Sequence, residues 1–250
     1  MSDGFFVAVL DAGVRVGSLV ALDGPEGRHA AVVRRIGVGE TVTVTNGEGL
    51  GVSGPVVAVR KDGLDLEVAE LLESVPSRPR VVCVQALPKN ERAEQAVDLL
   101  TEIGVDEIVP WQAARSIVRW SGERGDKALA KWRSVAREAA KQSRRLTVPV
   151  IAPLATTAQV AVRLAATPAA YVLHEGATLR VAAVRPPRSE IVLVVGPEGG
   201  IAPDELAAFE AAGATTVLIA DTVLRSVTAG AVAVAQLRLL AALASEGDDA

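Results

Sequence analysis

From Val81 to the C-terminus, short runs of Val, Ile and Leu alternate with longer stretches whose apolar residues recur at helical spacing. The runs are Val81–Leu87, Glu107–Val109, Val148–Ile151, Ala170–His174, Ile191–Val195 and Thr216–Ala220. Helices are expected over Glu91–Ile103, across the basic stretch after Arg115, between Ile151 and Ala170, over Pro203–Ala212, and from about Val227 onward. Continuous apolar runs alternating with helices predict a doubly wound, parallel α/β sheet covered on both faces. Ligands of such sheets bind at the carboxyl ends of strands. Two strand-end loops stand out there. Gly196-Pro197-Glu198-Gly199-Gly200 leaves one apolar run, and Leu218-Ile219-Ala220-Asp221-Thr222-Val223-Leu224-Arg225 leaves another. They lie about one βα unit apart, which predicts a shared crevice.

A break falls near Ser74-Val75-Pro76-Ser77-Arg78-Pro79. Before it the segments are short and punctuated by turns. Thr41–Val44 is followed by Asn46-Gly47-Glu48-Gly49, and Val56–Val59 leads through Lys61-Asp62-Gly63 into the alternating Leu64–Val68. A small, mostly antiparallel β-barrel or sandwich is expected over 1–75, and the α/β domain over 76–250. Among the 250 residues only 3% are aromatic, while 50% are hydrophobic, chiefly Ala, Val and Leu. The longest apolar stretch, Val227–Ala244, is interrupted by Thr228, Gln236 and Arg238, so it is read as a core helix rather than a membrane span. Met1-Ser2-Asp3-Gly4 lacks a basic-then-apolar leader. The single cysteine, Cys83, lies inside an apolar run and is read as a buried strand residue. A soluble, cytoplasmic chain with a frayed acidic tail at Glu246–Asp249 is expected.

The net charge of −4 argues against nucleic acid until the charge is mapped along the chain. Between Arg115 and Arg145 basic residues are dense, and only Glu123, Asp126 and Glu138 oppose them. Ala128, Leu129, Trp132, Val135, Ala136, Ala139 and Ala140 define a buried helix face. Arg133, Arg137, Lys141, and Arg144 or Arg145 then share another stripe. A solvated face is the plain reading of such a stripe, but the local imbalance favours an anionic partner. In the β domain the basic cluster is Arg28, His29, Arg34 and Arg35, either an anion-binding edge or a charge-balanced turn.

Several chemistries are excluded by inspection. Neither a dinucleotide-binding G-x-G-x-x-G nor a P-loop occurs. His29 and His174 are far apart and without a Cys/His cluster, so no zinc site is expected. There is no G-x-S-x-G nucleophile elbow. What remains is a glycine-loop site with Glu175, Glu198, Asp221 and Arg225 nearby, which fits binding and positioning better than covalent catalysis.

Gly196-Pro197-Glu198-Gly199-Gly200, Val223-Leu224-Arg225 before Thr228-Ala229, and Leu173-His174-Glu175 together resemble the trefoil-knotted (SPOUT) RNA methyltransferases. More narrowly the chain resembles the RsmE family of 16S ribosomal RNA uridine-N3 methyltransferases. Leu87-Pro88-Lys89, Thr101-Glu102-Ile103-Gly104-Val105, Arg115-Ser116 and Glu138–Arg145 agree, so the likeness spans about Leu87 to Gln236. It implies a C-terminal trefoil knot, an N-terminal PUA-like RNA-binding β domain, S-adenosylmethionine as methyl donor, and a homodimer acting on small-subunit RNA, with no metal and no membrane. It further implies a donor held among Leu173–Glu175, Gly196–Gly200 and Leu218–Leu224, that is, by Leu173, His174, Glu175, Gly196, Pro197, Glu198, Gly199, Gly200, Leu218, Ile219, Ala220, Val223 and Leu224. The chain departs from the family pattern at Ala220, where glycine is usual, and at Thr222 and Val227, where an arginine and a glutamate are usual.

Chemistry narrows the roles. Uracil N3 becomes a good nucleophile only as its proton leaves, so a base or an anion-stabilising cation is required. Arg225 is the catalytic candidate, against a plainer role tying down a phosphate or a partner subunit. Glu198 would orient substrate or take the proton, against a role as a backbone cap. Phosphate contacts are expected from Arg115, Arg133, Arg137, Lys141, Arg144 and Arg145 and from the Arg28 cluster. Two alternatives remain: a knotted enzyme methylating a ribose 2′-oxygen, and an inactive RNA-binding assembly factor.

Overall fold

The computed structural model describes residues 4–76, 78–89 and 92–248, with side chains through residue 244. Its contacts divide the chain into two units, Met1–Val75 with Arg137–Val148, and Pro76–Ala136 with Pro149–Ala250. The break near Pro76 therefore marks one boundary, but the segment 137–148 groups with the first unit.

In that first unit the strands are β1 (Gly4–Val7), β2 (Leu19–Leu22), β3 (Thr41–Thr45), β4 (Leu50–Arg60), β5 (Gly63–Glu67) and β6 (Glu70–Glu73). The order is β1-β3-β4-β5-β2, with β6 also on β4. All pairs but β1–β3 are antiparallel. β4 pairs β3 and β6 through its first half and β5 through its second, with a register shift between Val56 and Ala58. Bulges bend a strand and raise its twist, so one long strand can serve both sides of a small barrel. Phe6, Leu22, Val42, Val44, Val52, Val56, Leu64 and Leu66 fill the interior. The turn-rich sequence conceals a helical turn, α1 (Gly24–Arg28), continued by a π-helical turn over His29–Val33. Residues 146–148 join this unit through the backbone: Gly49 N–H donates to Leu146 O at 3.1 Å and Val148 N–H to Gly47 O at 2.8 Å.

The second unit is the expected α/β sheet, and all its pairs are parallel: β7 (Arg80–Ala86), β8 (Glu107–Trp111), β9 (Val150–Ile151), β10 (Ala170–Leu173), β11 (Glu190–Val195) and β12 (Thr215–Val217). The order is β12-β10-β11-β7-β8-β9. Helices α2 (Arg92–Glu102), α3 (Gly122–Gln142), α4 (Thr157–Ala165), α5 (Pro203–Ala211) and α6 (Ser226–Asp248) connect or follow the strands. Glu91, where the first of these was expected to begin, lies outside the described residues, as do the side chains of the acidic tail. Helix α4 begins with a complete capping box: Gln159 N–H donates to Thr156 Oγ1 at 3.3 Å, and Thr156 N–H to Gln159 Oε1 at 2.8 Å. One face of the sheet packs Trp111 edge-on against Phe209 with ring centroids 5.2 Å apart. Cys83 is fully buried, and burial pushes its thiol up to about 12, so it has no thiolate chemistry at neutral pH.

Helix α6 is the one helix among the described residues long and apolar enough to cross a membrane. Its Ala233, Val234 and Leu237 are fully buried, and it packs against α2 and β11 as a core helix would. Leu239 and Leu243 remain exposed, at 59% and 54%.

Candidate active site

Three neighbouring parallel strands, β12, β10 and β11, end at Val217, Leu173 and Val195. The loops that follow them line one cavity of about 420 Å³, within the range of about 300–1,000 Å³ usual for small-molecule sites. The shared crevice expected from the two loops is therefore present, and Leu173, His174 and Glu175 supply its third wall. Gly196, Pro197, Glu198, Gly200, Leu218, Ile219, Ala220, Val223, Leu224 and Arg225 also line it. Gly199 does not. Its missing side chain faces Arg115, where a Cβ would stand 3.3 Å from Arg115 Cβ.

The glycine loop turns tightly. Gly200 adopts φ +74° and donates its N–H to Pro197 O at 2.9 Å. A Cβ on Gly196 would lie 2.7 Å from Ile201 Cγ1, so the loop folds back on itself through a glycine. Glu198 Oε1 accepts from Lys89 N–H at 3.2 Å and stands 3.9 Å from the Arg92 guanidinium. Part of the expected capping role is thus met, with the capped backbone in the loop after β7. His174 Nδ1 accepts from Gly176 N–H at 3.0 Å, closing the turn after β10. That assigns His174 a structural bond at one ring nitrogen.

In the last loop, the strand expected over Thr216–Ala220 ends at Val217, which frees Leu218–Arg225 to wrap the cavity. Asp221 pairs with Arg180 at 2.6 Å, and Ile219 O accepts from Gln236 Nε2 at 3.1 Å. Arg35 and Arg144 are the non-glycine residues with positive φ among those described, so Ala220 occupies ordinary backbone. Alanine in place of glycine there carries no conformational strain. Val227 is 4% exposed and packs in the core.

Arg225 sits where this loop becomes α6. Its carbonyl accepts from Thr228 N–H, Thr228 Oγ1–H and Ala229 N–H at 3.0, 3.1 and 2.9 Å. The next residue, Ser226, is buried, and its Oγ accepts from Gln85 Nε2 at 3.1 Å. Gln85 fixes the start of α6, and through it the base of Arg225. Sequence reasoning missed Gln85; the signal was a lone amide in the otherwise apolar run Val81–Ala86, a residue costly to bury without a partner.

The cations expected to meet phosphate separate into two kinds. Lys141 is 9% exposed and pairs with Glu26 at 3.0 Å and Glu138 at 2.8 Å. Arg137 donates to Val7 O and lies 4.0 Å from Glu26. Arg133 donates to Ile151 O at 3.4 Å, and Arg145 to Thr147 Oγ1 at 3.3 Å. The α3 stripe is therefore engaged within the fold rather than standing as an open row of cations. Glu26, more than a hundred residues away in sequence, supplies the countercharge that a count of neighbours along the chain could not see. Arg144 is exposed after α3, and Arg28, His29, Arg34 and Arg35 are exposed around the α1 turn. Arg115 is turned back onto the glycine loop, donating to Gly199 O at 3.2 Å and Ile201 O at 3.5 Å.

Residues 76–238 match the family described as RNA methyltransferase domain. The chain is 45% identical over 229 residues to the Ribosomal RNA small subunit methyltransferase E of Mycobacterium bovis, covering 90% of this chain and 87% of that protein. It is 25% identical to the protein of the same name from Bacillus subtilis, covering 90% and 91%. In structure it is similar to a Ribosomal RNA small subunit methyltransferase E from Neisseria gonorrhoeae, solved bound to S-adenosyl methionine, with TM-score 0.83, 25% identity, and 95% and 97% of the two chains covered.

Proposed function

The chain belongs to the RNA methyltransferases of the RsmE family, and on that premise we propose that it methylates N3 of a specific uridine in 16S ribosomal RNA, using S-adenosylmethionine. The observation that carries this reading is the cavity at the carboxyl ends of three adjacent strands, with Arg225 on its wall.

The lining suits the donor. Leu173, Val195, Ile201, Val217, Leu218 and Leu224 offer an apolar slot for an adenine ring, while Glu175, Glu198 and Asp221 offer carboxylates toward a cationic ligand. The bound donor would supply a methyl group on a positively charged sulfur, open to in-line attack. The protein's own work is placement and charge. Arg225, seated by α6 and by the Gln85–Ser226 bond, would face the uracil oxygens and stabilise the negative charge that builds as the N3 proton leaves. Glu198, steadied by Lys89 and Arg92, would orient the uracil or accept that proton. A uracil within an RNA helix must be drawn out of its stack to reach this site.

The first unit would serve as the PUA-like RNA-binding domain, with Arg28, His29, Arg34 and Arg35 as its phosphate-contacting edge. The second would carry the trefoil knot and the chemistry. A homodimer would cover the exposed Leu239 and Leu243 of α6, in a cytoplasmic enzyme acting on small ribosomal subunits.

Calorimetric titration with S-adenosylmethionine, against ATP and NAD as controls, tests the donor site. Saturable binding of the methyl donor alone is the expected result; no binding, with or without small-subunit RNA, would overturn the reading.

A further inference from the structure

The loops after β8 and β11 hold each other by charged groups that run in both directions. Arg115, after β8, donates from Nη1 to Gly199 O at 3.2 Å and Ile201 O at 3.5 Å. Glu205, in the first turn of α5, reaches back the other way. It is 5% exposed, and its Oε1 accepts from Ala114 N–H and Thr157 Oγ1–H, each at 2.8 Å, while Oε2 accepts from Ala202 N–H at 3.2 Å. The Arg119 guanidinium closes the turn on Ala114 O at 2.8 Å.

Gly199 eases the approach. A Cβ there would stand 3.3 Å from Arg115 Cβ, tighter than most contacts, and 3.4 Å from Arg115 O, so Arg115 would have to give by a few tenths of an ångström. A single nitrogen, Nη1, meets both carbonyls, so one group on a long side chain ties two points of the loop. A loop with glycines at 196, 199 and 200 has unusual backbone freedom, and ordering it on ligand binding would cost affinity.

We propose that Arg115 is a positioning residue for the methyl donor: it pre-orders the Gly196–Ile201 wall of the cavity from behind, and does not act as a phosphate contact for RNA. The proposal rests on the donor-site reading of that cavity. It also removes Arg115 from the set of cations that should govern the salt dependence of RNA binding.

The test compares the full-length protein with Arg115→Ala and Arg115→Lys by three measurements. Calorimetry reads the affinity for S-adenosylmethionine. Binding of 16S ribosomal RNA across a salt series reads phosphate contact. Amide hydrogen exchange over 194–206, without donor, reads the order of the loop itself. Arg115→Ala should weaken donor binding about tenfold, as loss of a charge-assisted bond implies. It should raise the donor KM more than it lowers kcat, speed exchange over 196–201, and leave the thermal midpoint and the RNA salt slope unchanged. Arg115→Lys should recover part of the affinity, since an ammonium can still reach one carbonyl.

Donor affinity within twofold of the unaltered protein, together with an RNA salt slope lowered by about 0.7–0.9, would overturn the proposal in favour of a phosphate contact. If the unaltered protein itself bound no donor, the functional reading would fall separately. The exchange comparison would still decide the brace, because equal protection of 196–201 in both proteins would exclude it.

Discussion

The two ends of the parallel sheet are built for opposite purposes. At the amino end, Arg80, Glu107 and Glu190 begin β7, β8 and β11, and Arg163 of α4 joins them. Glu107 takes Arg163 on both carboxylate oxygens at 2.7 and 2.8 Å and Arg80 at 2.6 Å, while Arg80 also pairs with Glu190. At the carboxyl end the charges are spread around a cavity: Asp221 pairs with Arg180 and Glu198 lies near Arg92, while among the described residues no side-chain partner is found for Arg225. Closed networks hold strands in register; open, pre-placed charges wait for a ligand. The carboxyl end divides again. Its glycine loop is gripped by Arg115, Glu205 and Lys89, whereas the last loop is tied at Leu218 and Ile219 but beyond them leaves Val223 82% exposed, with the solvent-facing Arg180–Asp221 pair beside it. The first loop reads as a fixed wall and the last as the side that adapts.

The largest effect is expected from Arg225→Ala. If that cation stabilises the developing anion, methyl transfer should fall about 100- to 1,000-fold, with donor affinity nearly unchanged by calorimetry. Full activity would remove Arg225 from the chemistry. Next in size is Glu107→Gln at the amino end, expected to lower stability by about 1–3 kcal/mol in denaturant unfolding while leaving donor affinity intact. Burial alone would push the Glu107 carboxyl up, but hydrogen bonds and charge from Arg163 and Arg80 outweigh it and hold the group below its ordinary 4.5. A lowered carboxyl contributes its stability fully above about pH 4.5 and loses it as pH falls through the lowered value. The stability gap between the native protein and Glu107→Gln should therefore narrow on acidification below that point. A gap independent of pH would mean the network is mere packing.

Gly200→Ala tests the fixed wall. An alanine held at φ +74° is strained by about 1–3 kcal/mol, so donor binding should weaken by up to about a hundredfold unless the loop relaxes. Val223→Ala, on the adaptable side, should change stability by less than about 0.5 kcal/mol, as surface substitutions do. A larger loss from Val223→Ala than from Gly200→Ala would invert the assignment of the two loops.

Much of this was legible in the chain. Apolar runs and helical spacing locate the six parallel strands to within a few residues, because strands buried on both faces must be continuously apolar. The glycine loop and the Leu218–Arg225 loop announce a crevice by where they leave those runs. What stayed hidden depends on partners distant in sequence. Lys141 reads as a free cation until Glu26 is folded against it, and nothing along the chain tells that Arg115 bonds the carbonyls of Gly199 and Ile201. The α1 turn was hidden differently, since Gly24-Pro25-Glu26-Gly27-Arg28 carries turn residues rather than helix formers. Helix α3 shows why the division into units resists reading: one unbroken periodic pattern contributes residues to both, from Arg137 onward to the first.

The methylated atom can be read from the product. Unmethylated small ribosomal subunits would be incubated with the protein and S-adenosylmethionine, and the 16S ribosomal RNA digested to nucleosides and resolved by mass spectrometry. A single new 3-methyluridine per subunit is the expected result. A ribose 2′-O-methylated nucleoside, or no methylated product from a protein that binds both donor and RNA, would exclude uridine N3 as the acceptor.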